Sequence, residues 1–199
     1  MKTKNILLLV ALLSFSISSF SQNSFSITYN FGSLGSKDLK NFVDNSSWRG
    51  WQYEYQYRLK PQITLGLLSG YQGFYEKRPR QTYTQNNTSI NAVTWRYFTN
   101  IPLLVTSKYY FKAKEIKPYI GVGIGLGFSK QEIQVSDYLV TENNTNFGLL
   151  GEGGLEYNFN SYWGILFNAK YNYSTYNPDD FDANNMGYLT LGLGLKFDF

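Results

Sequence analysis

From Leu189 to Phe199 the chain alternates without a break. Leu189, Leu191, Leu193, Leu195, Phe197 and Phe199 are large and apolar, and Thr190, Gly192, Gly194, Lys196 and Asp198 fall between them. A period of two over this length describes one extended strand with two chemically opposite faces. An amphipathic strand that ends on an aromatic residue is suited to closing a sheet on itself inside a lipid layer. Everything upstream is to be judged by whether it supplies the partners of such a strand.

It supplies seven more. Phe25, Ile27, Tyr29 and Phe31 alternate with Ser26, Thr28 and Asn30. Trp51, Tyr53, Tyr55, Tyr57 and Leu59 oppose Gln52, Glu54, Gln56 and Arg58, and the run ends at the turn Lys60-Pro61-Gln62. A third strand is expected over residues 63–75, where Leu68 and Phe74 break the alternation. The fourth spans about 94–111 and carries Pro102, which implies a bulge or an unpaired N–H. The fifth sets Ile120, Val122, Ile124, Leu126 and Phe128 against Gly121, Gly123, Gly125 and Gly127. The sixth (147–157) and seventh (163–173) complete the set.

The connections then alternate. Polar stretches at 32–46, 77–92, 131–146 and 174–185 are expected as long loops, and 60–62, 112–117 and 158–161 as short ones. This rhythm belongs to an all-β, eight-stranded antiparallel up-and-down transmembrane β-barrel with its two rims in different surroundings. A soluble barrel would alternate as well, with apolar residues inward. Three features favour lipid outside. The polar face carries Gly as often as charge, which suits a narrow interior. Trp51, Trp95, Tyr109, Tyr157, Trp163 and Tyr173 lie toward strand ends like interfacial girdles, and Phe199 is apolar.

Mean hydropathy is −0.33, and the longest apolar run, residues 6–13, is shorter than the roughly 20 residues of a spanning helix. That run follows Lys2 and Lys4 and precedes Ser19-Phe20-Ser21, the pattern of a secretory signal peptide cut before Gln22. Residues 1–21 are therefore read as a leader and 22–199 as one barrel domain. Taking Lys2 and Lys4 away with the leader lowers the formal charge of +4 by two, so no nucleic-acid footprint remains.

The inward set is expected to comprise Glu54, Glu152, Glu156 and Asp198 with Arg58, Arg96, Lys108, Lys170 and Lys196, a nearly self-neutralising polar plug. The chain has no His and no Cys, which excludes the usual histidine-dependent hydrolases, disulfides and ordinary zinc sites. No catalytic, cofactor-binding or metal residue is assigned. Two outer stretches are noted: Asp179, Asp180 and Asp182, whose carboxylates suit a divalent cation, and the basic run Lys77-Arg78-Pro79-Arg80, suited to lipid phosphates.

The stretches Thr99-Asn100-Ile101-Pro102-Leu103-Leu104, Lys117-Pro118-Tyr119-Ile120-Gly121-Val122-Gly123-Ile124-Gly125 and Gly154-Leu155-Glu156-Tyr157 before Trp163, with the closing strand, carry a resemblance. From Arg96 to Phe199 the chain resembles the outer-membrane β-barrel domain family, OmpA- and OmpX-like small barrels of Bacteroidetes-type bacteria, and the first stretch is also similar to the PorT-type subgroup. The resemblance implies the outer membrane, no shared catalytic residues, and insertion by the barrel-assembly machinery. The expected role is a non-enzymatic, monomeric envelope or surface-interaction protein. It would meet outer-membrane lipids, lipopolysaccharide and protein partners at its loops. The alternatives are the barrel of a protein secretion or assembly machine, or a narrow small-solute porin. In this family the terminal aromatic resembles an assembly signal. Deleting Phe199 is therefore expected to reduce the membrane-inserted yield more than truncating an outer loop, as read from heat-shifted gel mobility of membrane fractions.

Overall fold

A computed structural model of the chain describes residues 23–85, 88–112, 115–135, 138–175 and 185–199; side chains at 38, 81–85, 88–90 and 185 lie outside that description. The elements are β1 (Asn23–Leu34), α1 (Lys37–Phe42), β2 (Ser47–Lys60), β3 (Ile63–Gln85), β4 (Thr88–Tyr110), β5 (Ile116–Val135), β6 (Tyr138–Asn158), β7 (Trp163–Thr175) and β8 (Asn185–Asp198). The strands pair in sequence order and the sheet closes between β8 and β1.

The closing seam pairs Phe25 with Phe197, Ile27 with Leu195, Tyr29 with Leu193 and Phe31 with Leu191. At its end the Asn23 N–H donates to the Phe199 carbonyl at 3.4 Å, and the Phe199 N–H returns a bond to the Asn23 carbonyl at 3.0 Å. Both termini of the described barrel thus share one rim with the short turns. The apolar face is outward: Val122 and Leu193 are 65% and 63% exposed, against 3% for Glu54 and 2% for Lys196. Near this rim, outward rings meet along single strands and across strands: Tyr109 with Phe111 (5.3 Å), Tyr157 with Phe159 (5.2 Å) and Trp163 with Phe197 (4.1 Å).

Two of the expected long loops are strand instead. β3 continues through Gln85 and β4 begins at Thr88, while β5 runs to Val135 and β6 begins at Tyr138. The alternation fades over 77–92 and 131–146 because polar residues occupy both faces there, yet the ladder continues through Lys77–Trp95, Gln81–Ala92 and Ile133–Val140. At about 3.3 Å per residue and a tilt near 45°, the 23 residues of β3 rise about 50 Å, twice a lipid band of about 25 Å. The surplus forms two β-hairpins standing off the outer rim. A register shift falls between Arg78 and Gln81, at Pro79, where a missing N–H costs no ladder bond. Pro102 produces no bulge. The β3–β4 pairs pass from Ser69–Leu103 to Gln72–Asn100 in constant register and leave it unpaired on that side.

The stretch 32–46 is likewise only partly loop. β1 extends to Leu34, and α1 follows, capped by the Ser36 side chain, which accepts from the Leu39 N–H at 3.4 Å. Leu39, Phe42 and Val43 are buried with Leu34, Phe74, Phe98, Met186 and Tyr188. The helix is therefore a lid set into the outer mouth.

Candidate functional site

The interior of the barrel gathers its buried polar and charged side chains, and its chemistry is layered. Counted from the rim that holds the termini, the first layer centres on Lys196. Its ammonium lies 2.7 Å from Glu156 and 3.2 Å from Asp198, and Arg58 reaches Asp198 at 3.7 Å. Tyr110 covers this group: its ring centroid is 5.6 Å from Lys196 Nζ and its hydroxyl donates to Gln56 at 3.2 Å. Below it a recess of about 350 Å³ opens to the rim between Arg58, Gln62, Tyr110, Lys112, Lys117 and Glu156.

The second layer is tighter. Lys108 Nζ sits 2.6 Å from Glu54 Oε2 and 2.8 Å from Glu152 Oε1, and 4.8 Å from the centroid of the Tyr119 ring. Thr106 donates to the other Glu54 oxygen at 2.6 Å, while Lys170 donates to Gln52 at 2.7 Å and lies 3.8 Å from Glu152. The cross-strand neighbours of this cluster must be small. A Cβ at Gly121 would stand 2.8 Å from Glu152 Oε1, and one at Gly66 would stand 2.6 Å from Thr106 Oγ1. These glycines face inward because the charge cluster takes up the space a side chain would need.

Above the charges the chemistry inverts. Leu68, Leu104 and Leu150 form a buried apolar layer across the lumen. The break in alternation at Leu68 has this cause: the residue faces inward, as does Phe74 in the lid cluster. Between the leucines and the lid, Asn100 donates to the Tyr188 hydroxyl at 2.8 Å, and Ser129 and Asn146 extend the chain of bonds at 3.2 Å each.

Of the expected inward set, Glu54, Glu152, Lys108 and Lys170 assemble in one cluster, and Glu156, Asp198, Lys196 and Arg58 in the other. Arg96 belongs to neither. It lies at the outer end, where Nη1 donates to the Asn41 and Phe42 carbonyls at 3.2 and 3.3 Å and the guanidinium lies 5.5 Å from the Phe42 ring centroid. Arg78 joins it, donating to the Asn41 carbonyl at 2.8 Å and pairing with Glu76 at 3.3 Å. Two arginines thus complement the C-terminal end of the lid helix. The basic run at 77–80 lies on β3 rather than in a loop, and Arg78 is committed inward. Asp179, Asp180 and Asp182 lie outside the described residues. The lid was missed by the sequence reading, although Ser36 followed by Leu39, Phe42 and Val43 is a capped helical spacing.

Each charged layer balances its own charges, and an apolar layer and a lid close the lumen above them. Among the described residues such an interior holds its charges in place by pairing them.

The model of the outer membrane protein beta-barrel domain matches residues 7–199. Among solved structures, Neisserial surface protein A aligns at a TM-score of 0.52 with 14% identity, over 89% of this chain and 96% of that one. The attachment invasion locus protein Ail of Yersinia pestis, in complex with the heparin analogue sucrose octasulfate, aligns at 0.50 with 15% identity, over 89% and 99%. The outer membrane protease OmpT from Escherichia coli aligns at 0.52 with 10% identity, over 92% and 98%. At these identities the likeness is one of fold. No curated protein matches the chain.

Replacing Lys108 by Met removes the cation shared by Glu54 and Glu152 and leaves only Lys170, 3.8 Å from Glu152, at an expected cost of about 3–5 kcal/mol. The double variant Lys108→Met/Glu54→Gln keeps the Glu152–Lys170 pair and should recover most of it. Urea unfolding in lipid vesicles measures both; a double variant no more stable than the single one would show that the cluster is not coupled by charge.

Proposed function

The chain belongs to the outer membrane protein β-barrel domain family and resides in the outer membrane, and from that premise we propose that it is a non-enzymatic envelope protein acting through its outer hairpins. One observation carries this reading: the lumen is filled and lidded while β3–β4 and β5–β6 extend far beyond what spanning requires. Surplus strand of this kind costs ordering entropy and contributes nothing to crossing a membrane. Its use lies in presenting a rigid surface to whatever lies outside. The outer hairpins carry polar and aromatic residues together, including the exposed Tyr138, Leu139 and Val140 near the β5–β6 tip. Apolar groups exposed on a polar stalk suit contact with another macromolecule.

In this reading the protein works as a monomer among outer-membrane lipids and lipopolysaccharide, is inserted by the barrel-assembly machinery, and meets protein partners from outside. OmpT is a protease, but a likeness of fold at 10% identity carries no activity over, and the present chain has no His from which the usual hydrolytic dyads are built. A secretion or assembly role would need contact surface on the inner side. The turns there are short, as at Pro61-Gln62 between β2 and β3. A small-solute porin would need the layers of Leu68, Leu104 and Leu150 and of Leu39 and Phe42 to part.

Two measurements test the proposal. Planar-bilayer recording is expected to show no steady conductance; a stable open channel would overturn the closed interior and favour the porin. Replacing residues 79–93 with a tight turn should leave heat-shifted mobility in detergent intact, while cells displaying the variant lose the adhesion or aggregation that the full chain confers. Equal adhesion by both would place the function elsewhere.

A further inference from the structure

Moving away from the rim that holds the termini, the outward face changes in one order on neighbouring strands. On β2 it passes from Tyr55 and Tyr53 to Trp51 and then Arg49; on β3 from Leu67 and Tyr71 to Tyr75 and Lys77. β4 offers Leu103 and Ile101, then Tyr97 and Trp95, and β5 offers Leu126 and Phe128, then Lys130. Apolar side chains give way to rings, and rings to cations. Among the described residues, β6 and β1 lack this sequence. At the same end β6 presents Thr145, Asn143 and Thr141, and β1 presents Phe31 and Ser33.

The cations are laid on the rings. The Arg49 guanidinium is 5.6 Å from the Tyr75 ring centroid, and the Lys77 ammonium is 5.8 Å from that of Trp95. Between them the Tyr75 and Tyr97 rings stand 5.1 Å apart. Arg49 and Lys77 are exposed and form no ion pair among the described residues. Lys130 is held by Glu132 at 2.8 Å and contributes less. Arg49 lies opposite Gly73, four residues from Lys77, so their backbone positions are about 13 Å apart along the strand. Both cations lie against rings of the outward wall, and Ile101 and Leu103, nearer the rim of the termini, are exposed on the same face.

We propose that Arg49 and Lys77, bedded on Tyr75, Tyr97 and Trp95, form a one-sided docking site for the phosphate groups of an outer-leaflet glycolipid of the lipid A type. Charge complementarity selects the phosphates, and continuity with the lipid-facing wall selects an amphiphile over a soluble anion. The rings restrict the cations and lower the entropy lost on binding. The inference rests on the outer-membrane placement and is independent of the hairpins' role.

The test uses the full barrel in nanodiscs of zwitterionic phospholipid doped with bis-phosphorylated lipid A, and counts lipid A retained per protein by native mass spectrometry. The unsubstituted chain should retain it. Arg49→Gln/Lys77→Gln should retain it about thirtyfold more weakly, and Arg49→Lys/Lys77→Arg should stay near the unsubstituted chain. Lys37→Gln/Lys40→Gln, in the lid, should change nothing. Heat-shifted mobility checks that each variant is folded. Equal retention of dephosphorylated lipid A, or undiminished retention by the Arg49→Gln/Lys77→Gln variant, would overturn the site. Displacement of the lipid by inorganic phosphate would assign the cations to a soluble anion and overturn the lipid docking.

Discussion

In hydrocarbon, a backbone N–H or C=O without a partner costs several kcal/mol, and no water is present to satisfy it. A β-sheet meets this demand only by closing, and the Phe25–Phe197 to Phe31–Leu191 seam closes this one. Once the ladder is continuous, the two-residue period decides everything else. One set of side chains must tolerate lipid, and the other is confined to a lumen too narrow for bulk water. The chemistry of the whole chain follows from that division.

The confined set cannot be arbitrary. Ionised groups in the lumen would be ruinous alone, and here each is answered within its own layer: Lys108 by Glu54 and Glu152, Lys196 by Glu156 and Asp198. Both layers lie toward the rim of the termini, and the leucine layer and the lid lie above them. Among the described residues the outer mouth is therefore packed by apolar side chains and by backbone carbonyls held by Arg78 and Arg96, and the inner part of the lumen is filled by paired charge. With the lumen so filled, the two proposed sets of contacts lie on the outer wall and on the hairpins. The proposed lipid site and the proposed hairpin contacts occupy those two surfaces separately.

Much of this was legible from alternation, because one solvent acts on each face across the lipid band. Residues 189–199 and 120–128 show both faces plainly, and the strand order, the outward rings and most of the inward charges follow from them. The errors fall where that condition lapses. Over 77–92 and 131–146 polar residues occupy both faces, so these stretches read as loops although hydrogen bonding carries the strands onward. Arg96 shares the inward parity of Lys108, but periodicity does not record height, and its partners are lid carbonyls some fifty residues earlier in the chain. The leucine layer eluded the reading because Leu68, Leu104 and Leu150 come from three strands and meet only across the lumen.

The central claim is that the apolar face meets lipid. Trp51 and Trp163 stand on that face, half exposed, and Trp48 more so. Tryptophan fluorescence of the unsubstituted chain, reconstituted in bilayers whose acyl chains are brominated, reports the contact directly. Strong quenching relative to unbrominated bilayers is expected, deepest for bromines at the level of Trp51 and Trp163. Emission unchanged by brominated lipid would mean that the rings are packed inside the protein, and would contradict the barrel's assigned faces.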